Sequence, residues 1–301
     1  MKGLRSVLAS VAVLCLASSL AAQDLKLPNK EGTVKFALIG DTGTGSQAQN
    51  EVGAQMAAFH KRFPFTFVVM VGDNMYGSQA PPDFVAKFEQ PYKDLLAAKV
   101  PFYAALGNHD EPGQKNYKNF NMAGERYYAF RATPTEVGTK VDKGARFYAL
   151  DSNYMDKAQL DWLEKQLSVN DADWKICFFH HPLYSSARKH GSALDLRKVL
   201  EPLFIQYKVD VALAGHEHVY ERVKPQQGVY YFVSGAGGTL RKGDLRPGQY
   251  TAAGFDQDYH FMLFEIDGDE LHFQAISRTG ATVDSGSLKK HEGEAKAAAK
   301  P

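Results

Sequence analysis

Apolar runs alternate with polar punctuation along this chain, and the alternation changes character about two-thirds of the way through. Val34–Ile39 reads as a buried strand ending at Gly40-Asp41, and Gln47–Arg62 then places Val52, Met56 and Phe59 at helical spacing. Phe65–Val71 is a second apolar run closed by Gly72-Asp73, Asp83–Ala98 a second helix, and Pro101–Leu106 a third run closed by Gly107-Asn108-His109-Asp110. Arg126–Arg131 and Arg146–Leu150 are aromatic strands, followed by a helix over Asp156–Leu167. Trp174–Phe179 ends at His180-His181-Pro182, Leu194–Tyr207 is helical, and Asp210–Ala214 ends at Gly215-His216-Glu217-His218. Beyond that point the period becomes two, over Val229–Val233, Tyr259–Ile266 and Leu271–Ile276, with a turn signal at Asp267-Gly268-Asp269. The expectation is an α/β body that finishes in an antiparallel meander.

Five of these apolar runs end in polar clusters, and in α/β sheets ligands bind beyond the carboxyl ends of strands. Asp41, Asp73, Asn108, His180, His216 and His218 therefore converge on one edge. A single Gly-Asp after a strand is usually a turn or a cap. Five strands with the same punctuation exceed what capping explains.

Composition narrows the chemistry. The 301 residues are 44% hydrophobic and 23% charged, ordinary for a globular chain. Thirty-five basic residues against 34 acidic ones leave no net field that would draw in nucleic acid or anionic lipid. Two cysteines exclude a disulfide scaffold and a thiolate-rich metal site, whereas ten histidines supply imidazole for metals or proton transfer.

Residues 1–22 have the charged, apolar, small-residue order of a secretory signal peptide: Lys2 and Arg5, then Val7–Leu16, then Ala17–Ala22. The apolar stretch is about half of the roughly 20 residues a membrane anchor needs. Cleavage near Ala21 or Ala22 takes the formal charge from +1 to −1, removes Cys15 and leaves Cys177 as the lone thiol. The expected product is secreted or periplasmic, without a membrane anchor. Lys289–Pro301, rich in Lys, Glu and Ala, reads as a frayed tail.

Two aspartates, an asparagine and three histidines form an oxygen and nitrogen ligand set suited to iron, zinc or manganese. Asp73 has a carboxylate able to bridge two ions, with the Tyr76 phenol three residues on. Two metals about 3.5–4 Å apart would clamp a phosphate oxygen and ionise a water.

The ordered series Gly40-Asp41-Thr42-Gly43, Gly72-Asp73-Asn74-Met75-Tyr76, Gly107-Asn108-His109-Asp110, His180-His181-Pro182-Leu183-Tyr184 and Gly215-His216-Glu217-His218 resembles the five motifs of the purple acid phosphatases. These are calcineurin-like metallophosphoesterases. The resemblance covers about Val34–Arg278 and is closest to the short, tartrate-resistant type. It implies an α/β fold, a four-layer αββα sandwich of two mixed β-sheets, as a single catalytic domain over 23–288. It also implies a dinuclear centre of Fe(III) plus a divalent ion (iron, zinc or manganese). Asp41, Tyr76 and His218 would hold the ferric ion, Asn108, His180 and His216 the divalent ion, and Asp73 would bridge them. His181 matches a variable position of the family. His109 corresponds to a histidine that positions phosphate and assists the leaving group, and His190 to another such histidine. Asp110 would orient His109 by accepting its ring N–H. The implied activity is hydrolysis of phosphate monoesters by direct attack of a metal-activated hydroxide, with an acid optimum. Tyr117, Tyr127, Tyr128, Tyr154 and Tyr184 are candidates to line the cleft or to be core.

Three rivals remain on the sequence. Gly43-Thr44-Gly45-Ser46-Gln47-Ala48 matches Gly-x-Gly-x-x-Ala between a strand and a helix, the shape of an NAD-binding turn. Its glycines begin three residues beyond Gly40, where the tight turn should start. A non-catalytic exported binding protein would have lost ligands, and all seven positions are filled. A phosphodiesterase acting on nucleotides would share both fold and motifs.

Overall fold

The computed structural model describes residues 24–133, 144–170 and 172–290. The signal segment at 1–22 and tail residues 291–301 lie outside that range. Its strands are β1 (Val34–Ile39), β2 (Phe67–Val71), β3 (Phe102–Ala105), β4 (Tyr128–Ala132), β5 (Ala145–Ala149), β6 (Trp174–Phe178), β7 (Val211–Ala214), β8 (Tyr220–Val223), β9 (Tyr230–Ser234), β10 (Thr251–Phe255), β11 (His260–Asp267), β12 (Glu270–Ser277) and β13 (Thr282–Lys289). The helices are α1 (Gln47–His60), α2 (Pro81–Phe84), α3 (Lys93–Ala97), α4 (Lys157–Leu167) and α5 (Leu194–Gln206).

Two mixed sheets result, a six-stranded one in the order β13-β12-β11-β1-β2-β3 and a seven-stranded one in the order β10-β8-β9-β7-β6-β5-β4. In the first, β1, β2 and β3 run parallel. In the second, β5, β6, β7 and β9 do. Side-chain alternation divides each strand between two cores. Phe36 and Leu38 of β1 face the layer between the sheets, together with Phe147, Ile176, Phe178 and Leu213 of the second sheet. Ala37 and Ile39 face outward onto Val52, Met56 and Phe59 of α1. Tyr148, Cys177 and Ala212 face outward from the second sheet onto Leu163 of α4 and Leu200 and Phe204 of α5. This is the expected four-layer αββα sandwich.

Three expectations change in detail. The period-two segments do not form one meander. The β9 strand pairs parallel with β7, whereas β11 crosses to the other sheet and pairs antiparallel with β1, matching Val34 with Ile266. The helix expected over 83–98 is broken into α2, a π-helical turn at Val85–Glu89, and α3. Pro91 has no N–H to continue the helical ladder, and its carbonyl lies so close to Gly53 of α1 that a Cβ there would come within 2.1 Å. At the C-terminus, Lys289 closes β13 and the Lys290 N–H donates to the Asp269 carbonyl, so ordered chain runs past the point where the tail was expected to begin.

Phe36 locks the central layer. Its ring stacks on Phe67 at 5.4 Å and Phe264 at 4.8 Å and meets the edge of Phe147, from the opposite sheet, at 5.1 Å. Phe36→Ala should lower unfolding stability by about 3–5 kcal/mol, the range for emptying a buried aromatic site. Urea unfolding measures this, and a loss below about 1 kcal/mol would mean that the layer closes without this ring.

Candidate metal centre

Strands β1, β2, β3, β6 and β7 all present their carboxyl ends to one rim of the sandwich, three from one sheet and two from the other. Their polar ends interlock through the backbone. The Asp41 N–H donates to the Gly72 carbonyl at 3.0 Å, and Gly215 N–H to the His180 carbonyl at 3.0 Å. Across the two sheets, His216 N–H donates to Asp41 Oδ2 at 2.9 Å. The glycines that precede the polar residues make this approach possible. Gly72 has φ +88°, and a Cβ on Gly107 would lie 2.2 Å from Asp73 Oδ1. Asp41, Asp73 and His216 themselves hold left-handed φ values of 55°, 49° and 68°. Such strain collects where the surroundings over-determine a functional geometry.

Two clusters of donor atoms form at the rim. In one, the Tyr76 hydroxyl lies 2.9 Å from Asp73 Oδ2, 3.3 Å from Asp41 Oδ1 and 3.2 Å from His218 Nε2. In the other, His180 Nε2 lies 3.0 Å from Asn108 Oδ1, 3.0 Å from His216 Nδ1 and 3.4 Å from Asp73 Oδ1. Asp73 thus gives one carboxylate oxygen to each cluster. All seven residues expected as ligands are gathered here, in the two sets anticipated.

Electrostatics fits cations at these points. Asp41 and Asp73 are buried, and among the described residues neither pairs with a lysine or arginine. Burial pushes the Asp41 carboxyl well above the usual carboxylate range, with Asp73 adding to the effect. It raises the Tyr76 phenol as well, and the two carboxylates reinforce it. Burial likewise takes His180 well below the ordinary imidazole value, His216 down to about 2 and His218 to about 4. Asp41, Asp73 and His218 packed around a phenol, and Asn108, His180 and His216 packed beside them, match what two metal ions require.

The flanking residues divide. His109 stays beside the first cluster, its N–H donating to Asp73 Oδ1 at 3.0 Å and its ring 4.9 Å from that of Tyr76. His190 stacks on His216 at 4.2 Å, and its loop is pinned by Glu217, whose Oε1 accepts from His190 N–H at 3.0 Å and Gly191 N–H at 2.6 Å. Asp110 sits differently from expectation. Its oxygens accept from Asn74 and Met75 N–H, the Asn74 amide, Gly107 N–H and the Gln114 amide. Five donors saturate the carboxylate, so it ties the loops after β2 and β3 together, and no bond to the His109 ring occurs among the described residues. Of the five tyrosines, only Tyr154 lines the adjoining cleft, and Tyr117, Tyr128 and Tyr184 are tied to Glu89, Ala104 and Glu201. The Gly43–Ala48 turn is consumed in packing: a Cβ on Gly43 would meet the Asn74 carbonyl at 2.0 Å, and Ser46 caps α1. Sequence reasoning passed over Glu217, Ser152 and His181. A histidine pair directly before Pro182 was the one signal for the last of these.

Comparison with known proteins agrees with this geometry. Residues 34–220 match the family model described as calcineurin-like phosphoesterase. The chain is similar to purple acid phosphatase 17 of Arabidopsis thaliana, 27% identical over 82% of this chain and 86% of that one. It is 30% identical to tartrate-resistant acid phosphatase type 5 of Oryctolagus cuniculus over 71% of this chain and 76% of that one. Among solved structures, GAP50, the anchor in the inner membrane complex of Plasmodium, superposes with a TM-score of 0.72 at 22% identity, over 86% of this chain and 90% of that one. The last likeness is one of fold. Among the described residues, no helix is long and apolar enough to cross a membrane.

Because the Tyr76 phenol keeps its proton at neutral pH until a cation arrives, metal binding by its oxygen must expel that proton. Titrating zinc into metal-free protein at pH 7, in buffers of differing ionisation enthalpy, should show net proton release. Tyr76→Phe should release about one proton fewer. Equal release by both proteins would remove the phenol from the ligand set.

Proposed function

This chain belongs to the calcineurin-like phosphoesterases and, within them, to the purple acid phosphatases, and from that premise we propose a secreted acid phosphatase that hydrolyses phosphate monoesters at a dinuclear Fe(III)–M(II) centre, M being iron, zinc or manganese. As a member of that family it is a hydrolase of phosphoric monoesters. The observation that carries the dinuclear reading is Asp73, whose two oxygens face two separate donor clusters.

Asp41, Tyr76 and His218 would hold the ferric ion, and Asn108, His180 and His216 the divalent one, with Asp73 between them. The ions supply positive charge for the phosphate and lower the pKa of water. Water is the nucleophile in this reading, and the Ser152 hydroxyl at the rim is engaged by the backbone N–H groups of His180 and His181. The new bond forms from water oxygen to phosphorus while the bond to the alcohol oxygen breaks in line. His109 and His190 stand at the edges of the two clusters, where either could give a proton to the departing alkoxide. Asp110 acts through the loops, holding Asn74 and Gly107 so that Asp73 and Asn108 keep their places. Export follows from the order of residues in 1–22.

Asp73→Asn should cut 4-nitrophenyl phosphate hydrolysis by at least about 100-fold, beyond the range typical of outer-shell partners, together with bound metal. Full activity in that variant would remove the bridging role, and faster turnover of bis(4-nitrophenyl) phosphate than of the monoester would favour a diesterase.

The ferric assignment is read in the visible spectrum. Purified protein with iron at Tyr76 should absorb through tyrosinate-to-iron charge transfer, and Tyr76→Phe should bleach it. Colourless protein carrying two zinc ions would leave a phosphatase without ferric iron.

A further inference from the structure

His181 stands next to a ligand in sequence and beside two in space. One of its ring nitrogens lies within 4.8 Å of ring nitrogens of both His180 and His216. Its ring centroid is 4.9 Å from that of His180 and 4.4 Å from that of His216. Proximity alone would make it a third imidazole on the second ion. The hydrogen bonds around it argue otherwise.

Ser152 Oγ lies 2.9 Å from His181 Nδ1, 3.2 Å from the His180 N–H and 3.1 Å from the His181 N–H. A hydroxyl has two lone pairs and one proton. The two backbone N–H groups take the lone pairs, so the proton goes to His181 Nδ1. That nitrogen is an acceptor, and the neutral ring therefore carries its hydrogen on Nε2. His180 has the reverse arrangement: its Nδ1 faces the Val71 carbonyl at 3.0 Å, an acceptor only, which places hydrogen on Nδ1 and leaves the Nε2 lone pair for a cation. Neighbouring histidines are thus set to opposite tautomers. His180 offers electrons, and His181 offers a hydrogen.

A hydrogen-bond donor at the edge of a site built for cations suits an anionic oxygen. His181 also lines an open cleft of about 440 Å³ with Asn108, Asn153, Tyr154 and Leu196, and it is the only imidazole on that lining. We propose that His181 binds the phosphoryl group directly through Nε2–H, with Ser152 as the positioning residue that fixes its tautomer, and that the adjoining cleft receives the alcohol portion of the ester. This rests on the phosphatase reading above and adds a phosphate-binding residue to it.

The test uses the metal-loaded full chain, with calorimetric titration of inorganic phosphate and metal analysis on the same samples. His181→Phe should keep two metal ions per chain and bind phosphate about tenfold more weakly, as expected for loss of one hydrogen bond to a charged group. His181→Gln keeps an N–H donor and should weaken binding less. Ser152→Ala should weaken phosphate binding with metal content intact, and Ser152→Thr, which keeps the hydroxyl, should restore it. Loss of metal in His181→Phe would make the ring a ligand and overturn the proposal. So would unchanged phosphate affinity, or equal weakening by Phe and Gln. Wild-type protein that binds metal but no phosphate would overturn the phosphatase reading itself, an outcome distinct from these.

Discussion

The rim of this sandwich is organised around one buried carboxylate that must serve two neighbours at once. Asp73 is nearly inaccessible and takes no lysine or arginine partner among the described residues. Each oxygen faces its own set of donors. Burying such a charge is costly unless a cation compensates it, and the surrounding geometry is arranged for that cation rather than for a side-chain partner. Left-handed backbone at Asp41, Asp73 and His216 aims the ligands inward, and the bare glycines before and between them let strand ends from two sheets come within hydrogen-bonding distance. The aromatic layer below, centred on Phe36, makes this strain sustainable by fixing the sheets against one another.

Much of this was legible in the sequence because the same physical rule repeats. Buried parallel strands need apolar residues along their length and shed polar groups only at their ends. Five runs ending in Asp, Asn or His therefore located the site before any geometry was known. The ends of β1, α4 and β6 also coincide closely with the patterns that forecast them. Strands β8, β10 and β13 were missed for the complementary reason. Tyr220–Val223 carries Glu221 and Arg222, Thr251–Phe255 is small and half-exposed, and Thr282–Lys289 alternates weakly. They are defined by backbone pairing, β8 with β9 and β10, and β13 with β12, which a side-chain pattern does not register.

Asp110 marks a different limit. Its position after Asn108 and His109 resembles an orienting carboxylate, and its role is decided by five N–H groups from the two loops after β2 and β3. Motif spacing reports which residues are near a site. It does not report which hydrogen-bond partners reach them first.

Histidine makes the point most sharply, since a count of ten carried no assignment by itself. His180 faces a backbone carbonyl and becomes an electron-pair donor. His181, one residue on, faces a serine hydroxyl already saturated by two N–H groups and becomes a hydrogen donor. His260, fully buried, meets Ser234 Oγ through Nε2 and the edge of the Tyr220 ring, and burial lowers its pKa to about 3, so it stays a neutral core residue. The ring is identical in each case, and what differs is the single group facing one nitrogen. Ser152 is 28 residues from His180 and Val71 is 109, so the deciding partner is distant in sequence: the end of the neighbouring strand β5 for His181, and the end of β2 in the opposite sheet for His180.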